Sequence, residues 1–173
     1  DVLEAASIVG REFDLGDLAD VRPDTDPEEV GESLDALCRR GLLDLRRFTG
    51  RGGSAYAFRH LLIRDVAYGS LPKSERARKH VQMVDWAKEH TGERSDEIAA
   101  MLATHLVEAL RYRAELGEPV DLGLVREALL WSRAAGRRSL ALWEHREAAR
   151  WFRSAADLAE RAQQMLAEPQ TSP

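Results

Sequence analysis

Two short apolar runs, LLDLRRF (42–48) and AYAFR (55–59), flank the glycine-rich stretch TGRGGS, and no other feature constrains the fold of this chain as strongly. Extended runs closed by a flexible turn predict a β-hairpin. In the first run Leu43, Leu45 and Arg47 fall on one face, and Leu42, Asp44, Arg46 and Phe48 on the other. The sequence ahead of the hairpin reads as helix. Val2–Val9 is a short buried helix stopped by Gly10, and LGDLADV after Phe13 is a second apolar-periodic stretch. VRPDTDP is a loop, with Asp26 as N-cap and Pro27 in the first helical position. In the helix that follows, Val30, Leu34, Leu37 and Cys38 share a face. Glu28 and Glu29 suit its positive end, Arg39 and Arg40 its negative end, and Gly41 closes it. Three helices and then a hairpin is the order of a winged helix, which we assign to residues 1–71.

The remainder reads as helix throughout, and the predicted fold class is mostly α. SERARKHVQMVDWAKEH places Ala77, Val81 and Val84 inward, and Thr91–Gly92 ends it. Ser95 with Asp96 caps a helix whose Ile98, Leu102, His105, Leu106 and Ala109 form a stripe, broken by Gly117 and Pro119. Asp121 starts the next helix, and His145 leads into the last. The spacing in these two helices is that of a tetratricopeptide repeat. Relative to Ala148, Gly136 lies twelve residues before, Phe152 four after and Ala155 seven after. The small residues let two helices approach, and the aromatic ring fills the groove between them. Ser132, Ser139 and Glu160 depart from the pattern, standing where it asks for Trp, a bulky aromatic and Pro. One repeat cannot bury its own face, so a preceding helix pair or a continuation of the chain must cover it. We assign residues 72–168 to a helical, tetratricopeptide-like region of antiparallel helix pairs and 169–173 to a disordered tail.

Composition narrows the function classes. At 173 residues and 44% apolar content the chain can bury a core, and no apolar run approaches the length of a membrane span. Net charge is −5: residues 1–72 hold 9 Lys and Arg against 14 Asp and Glu, and the rest 16 against 16. Neither part is the basic surface that binds phosphate backbones. The predicted recognition helix of the winged half carries Glu28, Glu29, Glu32 and Asp35, which argues against DNA as its partner. A lone cysteine, Cys38, fits a reducing, cytoplasmic setting, and the start DVLEAASIVGREF reads as a piece of something longer.

The succession LEAASIVGREF, LDALCRRGLLDL, YAFRHLLIRDVAYGSLPKSERARKHVQMVDWAKE, DEIAAMLATHLVEA and AAGRRSLALWEHREAARWFRSAADL covers nearly the whole chain. It resembles the segment that follows the nucleotide-binding module in bacterial signal-transduction ATPases with numerous domains (STAND-type). In particular it resembles those fused to class III adenylate/guanylate cyclases or to helix-turn-helix transcriptional regulators. FRHLLIRDVAYGSLPKSERARKH is the most specific part, with Leu61 where that family usually has a small residue. The resemblance implies a non-catalytic regulatory region. ADP or ATP would be held by an upstream ATPase domain of the same chain, the winged helix would close over the nucleotide, and the helical repeats would receive a protein or small-molecule inducer.

No P-loop is present in this sequence: TGRGGS lacks the Lys-Ser/Thr that would follow one. His60 stands where the second strand gives way to a helix. At a similar juncture in apoptotic and plant-immune relatives a Met-His-Asp motif contacts the β-phosphate of ADP; Arg59-His60-Leu61 keeps the histidine and lacks the Asp. A helix start offers free N–H groups to a phosphate, and an imidazole there adds a directed donor. His60, with Arg59 and Arg64, is therefore the candidate nucleotide sensor; the competing expectation is a histidine that caps the helix and packs between wing and core. Arg76, Arg78, Lys79 and His80 read as a solvated basic face, and His105 as a buried histidine. Cys38 has no spaced Cys or His companion, so neither a metal nor a catalytic cofactor is expected in this region. A plain protein-interaction scaffold, with partner contacts near Trp143 and Trp151, is the alternative function.

Overall fold

The computed structural model describes residues 2–16, 18, 26–47, 54–91 and 98–167. They form seven helices and three strands, a mostly helical chain with one small sheet. Contacts divide the chain into two compact units, Asp1–Met83 and Val84–Pro173. The sequence expectation put this division at Leu71. The boundary between these units falls inside a helix, whose first part meets the first unit through His80 and Tyr68.

In the first unit α1 (Val2–Val9) precedes β1 (Glu12–Asp14), α2 (Pro27–Arg39), β2 (Leu43–Arg47), β3 (Ser54–Phe58) and α3 (Leu61–Ser70). α4 (Lys73–Thr91) begins here and ends in the second unit. The hairpin partners are antiparallel, with Leu43 opposite Phe58 and Leu45 opposite Tyr56. The sheet also has a strand that sequence reading missed. β1 pairs with the other edge of β3, so the order is β1-β3-β2. Three residues are too few for alternation to register, yet pairing places Phe13 against Tyr56 and Phe58, with ring centroids 6.0 and 5.8 Å apart. As the central strand, β3 is buried on both faces at Ala55, Tyr56, Ala57 and Phe58. Leu45 shares a strand face with buried Leu43 but is 58% exposed. α2 begins as expected: Asp26 Oδ1 accepts the Glu28 N–H at 3.0 Å, and Pro27 opens the helix. Residues 49–53 of the turn TGRGGS and most of LGDLADV and VRPDTDP lie outside the described residues.

In the second unit the end of α4 joins α5 (Ala99–Glu115), α6 (Leu122–Ala141) and α7 (His145–Ala167). Ser95 and Asp96 lie outside the described residues, as does the tail. Asp121 caps α6 by accepting the Leu124 N–H at 3.1 Å. Ala99 and Ala103 of α5, Ala134 and Ala135 of α6, and Trp151 of α7 form one buried cluster, with Trp131 packed against it. α5 thus supplies cover for the helix pair that follows it. The partner face of α7 is made by Ala148, Trp151, Ala155 and Leu158, all buried.

Gly136 shows how close α6 and α7 come. A Cβ placed there would lie 2.8–2.9 Å from three carbons of the Phe152 ring. No heavy side chain fits without moving that ring, which is itself 39% exposed and free to swing outward. Gly136→Leu should lower the stability of the chain by about 1–3 kcal/mol through overpacking. Adding Phe152→Ala should restore part of the loss, a non-additivity readable by urea denaturation of the four proteins of the cycle.

Three helices end in the same Schellman geometry. At α2 the Leu42 N–H donates to Leu37 O at 3.0 Å, and at α5 the Glu118 N–H donates to Arg113 O at 3.0 Å. At α6 the Glu144 N–H donates to Ser139 O at 2.9 Å. The left-handed position is Gly41 (φ 71°) and Gly117 (φ 70°) in the first two, but Trp143 (φ 62°) in the third. An L side chain in that region costs about 1–2 kcal/mol, and Trp143, 81% exposed, recovers little of it by burial. Trp143→Gly should therefore stabilise the chain by about 0.5–1 kcal/mol after the larger unfolded-state entropy of glycine is subtracted. A fall in the denaturation midpoint would contradict this.

Candidate functional site

The sequence candidates sit where β3 hands over to α3, and the structure gives them different circumstances. Arg59, just past β3, is tied down. Its Nε and Nη2 donate to Asp44 Oδ1 at 3.0 and 2.8 Å, and its backbone N–H donates to Leu42 O at 3.1 Å. Nη1 would lie 2.8 Å from a Cβ on Gly41, so the guanidinium lies over the turn that ends α2. The bond to Asp44 and its charge hold the Arg59 pKa above its ordinary value. Its visible role is to clamp the end of β3 to the turn between α2 and β2.

His60 is the N-cap residue of α3, with extended backbone (φ −134°, ψ 140°), and its side chain makes no cap hydrogen bond. The ring is exposed. The expectation that His60 caps the helix and packs between wing and core is not met, since its side chain makes no capping bond and is exposed. Arg64, one turn into α3, reaches Asp65 at 3.4 Å and lies 5.5 Å from the centroid of the Tyr68 ring. None of the three candidates lines the depression on this side of the first unit. That depression, about 460 Å³, is lined instead by Leu3, Leu42, Leu62, Ile63, Val66 and Ala67, with Glu4 and Ser70 at its edge. Ser70 Oγ donates to Glu4 Oε1 at 3.0 Å there.

What sequence reading missed is how much apolar surface α3 leaves open. Leu61 is 53% exposed, Leu62 72% and Val66 66%. The residues were legible as hydrophobic, but the face α3 would turn outward was not: α1 covers Ala67 and leaves the Leu62–Val66 side bare. The basic face expected on α4 is also different from a solvated one. His80 is buried, with Nε2 2.8 Å from the Tyr68 hydroxyl, while Arg76 lies 4.9 Å from the Tyr68 ring centroid and donates to Gly69 O at 2.7 Å. Arg78 pairs with Glu75 at 2.6 Å. His80 and Arg76 bind α4 to α3, whereas the Arg78 pair lies within α4. Trp151 is core rather than a surface contact, whereas Trp143 is exposed. Among the described residues no three His, Cys, Asp or Glu side chains gather as a metal site would need.

Cys38 belongs to the Arg59 neighbourhood. Burial pushes its thiol above the ordinary 9.0, Asp35 and Asp44 push it further, and Arg59 and Arg39 oppose them. The folded chain then keeps a proton that the unfolded chain releases. This group's contribution to stability is complete below about pH 9 and is lost as pH rises through the higher folded value. Asp44→Asn removes one raising charge and frees Arg59, so it should lower the thiol pKa. Alkylation of Cys38 by iodoacetamide at neutral pH should run several-fold faster in that variant than in the parent protein. Equal rates would mean that burial alone governs this thiol.

Over 158 residues the chain is 30% identical to an uncharacterized protein of Rhizobium meliloti (strain 1021). The aligned stretch is 91% of this chain but 14% of that protein, so the chain corresponds to a small part of its relative. No family model and no solved structure matches the chain.

Proposed function

We propose that this chain is a non-catalytic regulatory region: a winged helix followed by tetratricopeptide-like helices, coupling the nucleotide state of an upstream P-loop ATPase domain to an effector such as a cyclase or a transcriptional regulator. The observation that carries the reading is α3. Its N-terminus lacks a side-chain cap, His60 stands exposed at that end, and Leu61, Leu62 and Val66 form an apolar face beside it. A helix end with free N–H groups suits an anion, and an open apolar face suits a covering protein surface. Half of a nucleotide pocket has both features when the other half is supplied by a second domain. The three-stranded sheet and the helices packed on it suit a winged helix, and the Gly136–Phe152 contact suits a tetratricopeptide pair. The much longer relative supports a place within a multidomain protein.

The test uses the protein with its upstream domain. ADP release should be several-fold faster in His60→Ala and in Leu62→Glu/Val66→Glu than in the parent, with raised basal output of the effector. Unchanged ADP handling in both variants would leave the scaffold reading, in which this region only binds a protein partner.

A further inference from the structure

The outer face of α6 carries an unneutralised charge pattern. Arg126, Leu130, Arg133 and Arg137 fall at i, i+4, i+7 and i+11, and all four are exposed. At 100° per residue they lie within one narrow stripe about 16 Å long. The buried face of the same helix is made by Leu124, Val125, Ala128, Ser132, Ala135, Gly136 and Ser139. None of the three arginines has an ion-pair or hydrogen-bond partner among the described residues, whereas four other cations of this unit do. Lys88 pairs with Glu127 at 2.6 Å, Arg111 with Glu108 and Glu115 at 2.5 and 2.9 Å, Arg113 with Asp121 at 3.4 Å, and Arg150 with Glu147 at 2.6 Å. The other cations of this unit without a partner among the described residues, apart from Arg138 at the end of α6, are Arg146, Arg153 and Arg161 on α7, where Glu147, Asp157 and Glu160 alternate with them. α6 has one acidic residue, Glu127, and Lys88 already occupies it.

Arg133 and Arg137, one turn apart, repel and lower helix stability by a few tenths of a kcal/mol. Leu130, 56% exposed, stands between Arg126 and Arg133 on the same stripe. We infer that this face docks an acidic, amphipathic helical segment of a protein partner, with carboxylates meeting Arg126, Arg133 and Arg137 and an apolar side chain covering Leu130. A nucleic acid fits less well. Three guanidiniums neutralise few phosphates, Leu130 has no counterpart on a sugar–phosphate backbone, and the chain as a whole carries −5. The inference stands apart from the nucleotide reading, since it uses no residue of the first unit.

The test is titration of the whole chain with a synthetic helical peptide of about 16 residues, long enough to span the stripe. It would carry Glu on either side of a single Leu, and its counterpart Gln in place of each Glu. Fluorescence anisotropy should show the Glu peptide binding at least tenfold tighter than the Gln peptide at low salt, with the difference closing at high salt. Arg133→Gln/Arg137→Gln should remove the preference, and Arg150→Gln, a paired cation elsewhere, should leave it intact; circular dichroism checks that each variant keeps its helices. Equal binding of the two peptides, no binding of either, or the same loss in Arg150→Gln would overturn the inference. Tighter binding of a DNA duplex or single-stranded RNA than of the Glu peptide, lost in the double variant, would reassign the stripe to nucleic acid.

Discussion

The first unit depends on the double burial of β3. A central strand with Ala55, Tyr56, Ala57 and Phe58 all out of water must be covered on both faces and paired on both edges. β2 takes one edge through a hairpin, and β1 the other through the Phe13 contact with Tyr56 and Phe58. Where β3 ends is then settled, and the Arg59–Asp44 pair clamps that end to the turn at Gly41. As an exposed ion pair it supplies geometry more than stability. The next residue, His60, must start α3 at the surface.

This chain of constraints explains why the candidate site is open. Arg59 is occupied by Asp44, and Arg64 turns toward Asp65 and Tyr68, leaving His60 as the group without a partner among the described residues at the start of α3. α3 is held to the rest of the unit through Ala67 and through Tyr68, which touches His80 and Arg76 of α4. Those contacts secure one side of the helix and leave Leu62 and Val66 facing water. A free helix end beside an apolar face is costly to leave uncovered, and that cost is what makes the junction a candidate for contact with another domain.

The second unit solves a different problem, with helices alone among its described residues. Its inner surfaces mix alanines, which let the helices approach closely, with larger side chains such as Leu102, Leu106, Trp151 and Leu158. Gly136 against Phe152 is the tightest instance. Close approach on the inside leaves the long side chains outside, and the arginines of α6 have no carboxylate on their own stripe to meet.

The sequence by itself determined the helices with clear caps and breaks. Asp26–Pro27, Asp121 and the glycines at 41 and 117 mark ends by local chemistry, and local chemistry is readable along a chain. The hairpin and the Gly136, Ala148, Phe152, Ala155 spacing were legible for the same reason. Only the tertiary structure decided what depends on distant partners. β1 exists because β3 has a second edge, and His80 is buried because Tyr68 receives it, not because of its neighbours on α4. The exposure of Leu62 and Val66 follows from which face of α3 met α1. Arg126, Arg133 and Arg137 were visible as letters, but their lack of partners among the described residues is a fact about space: a charge is free or paired according to what the fold brings within reach.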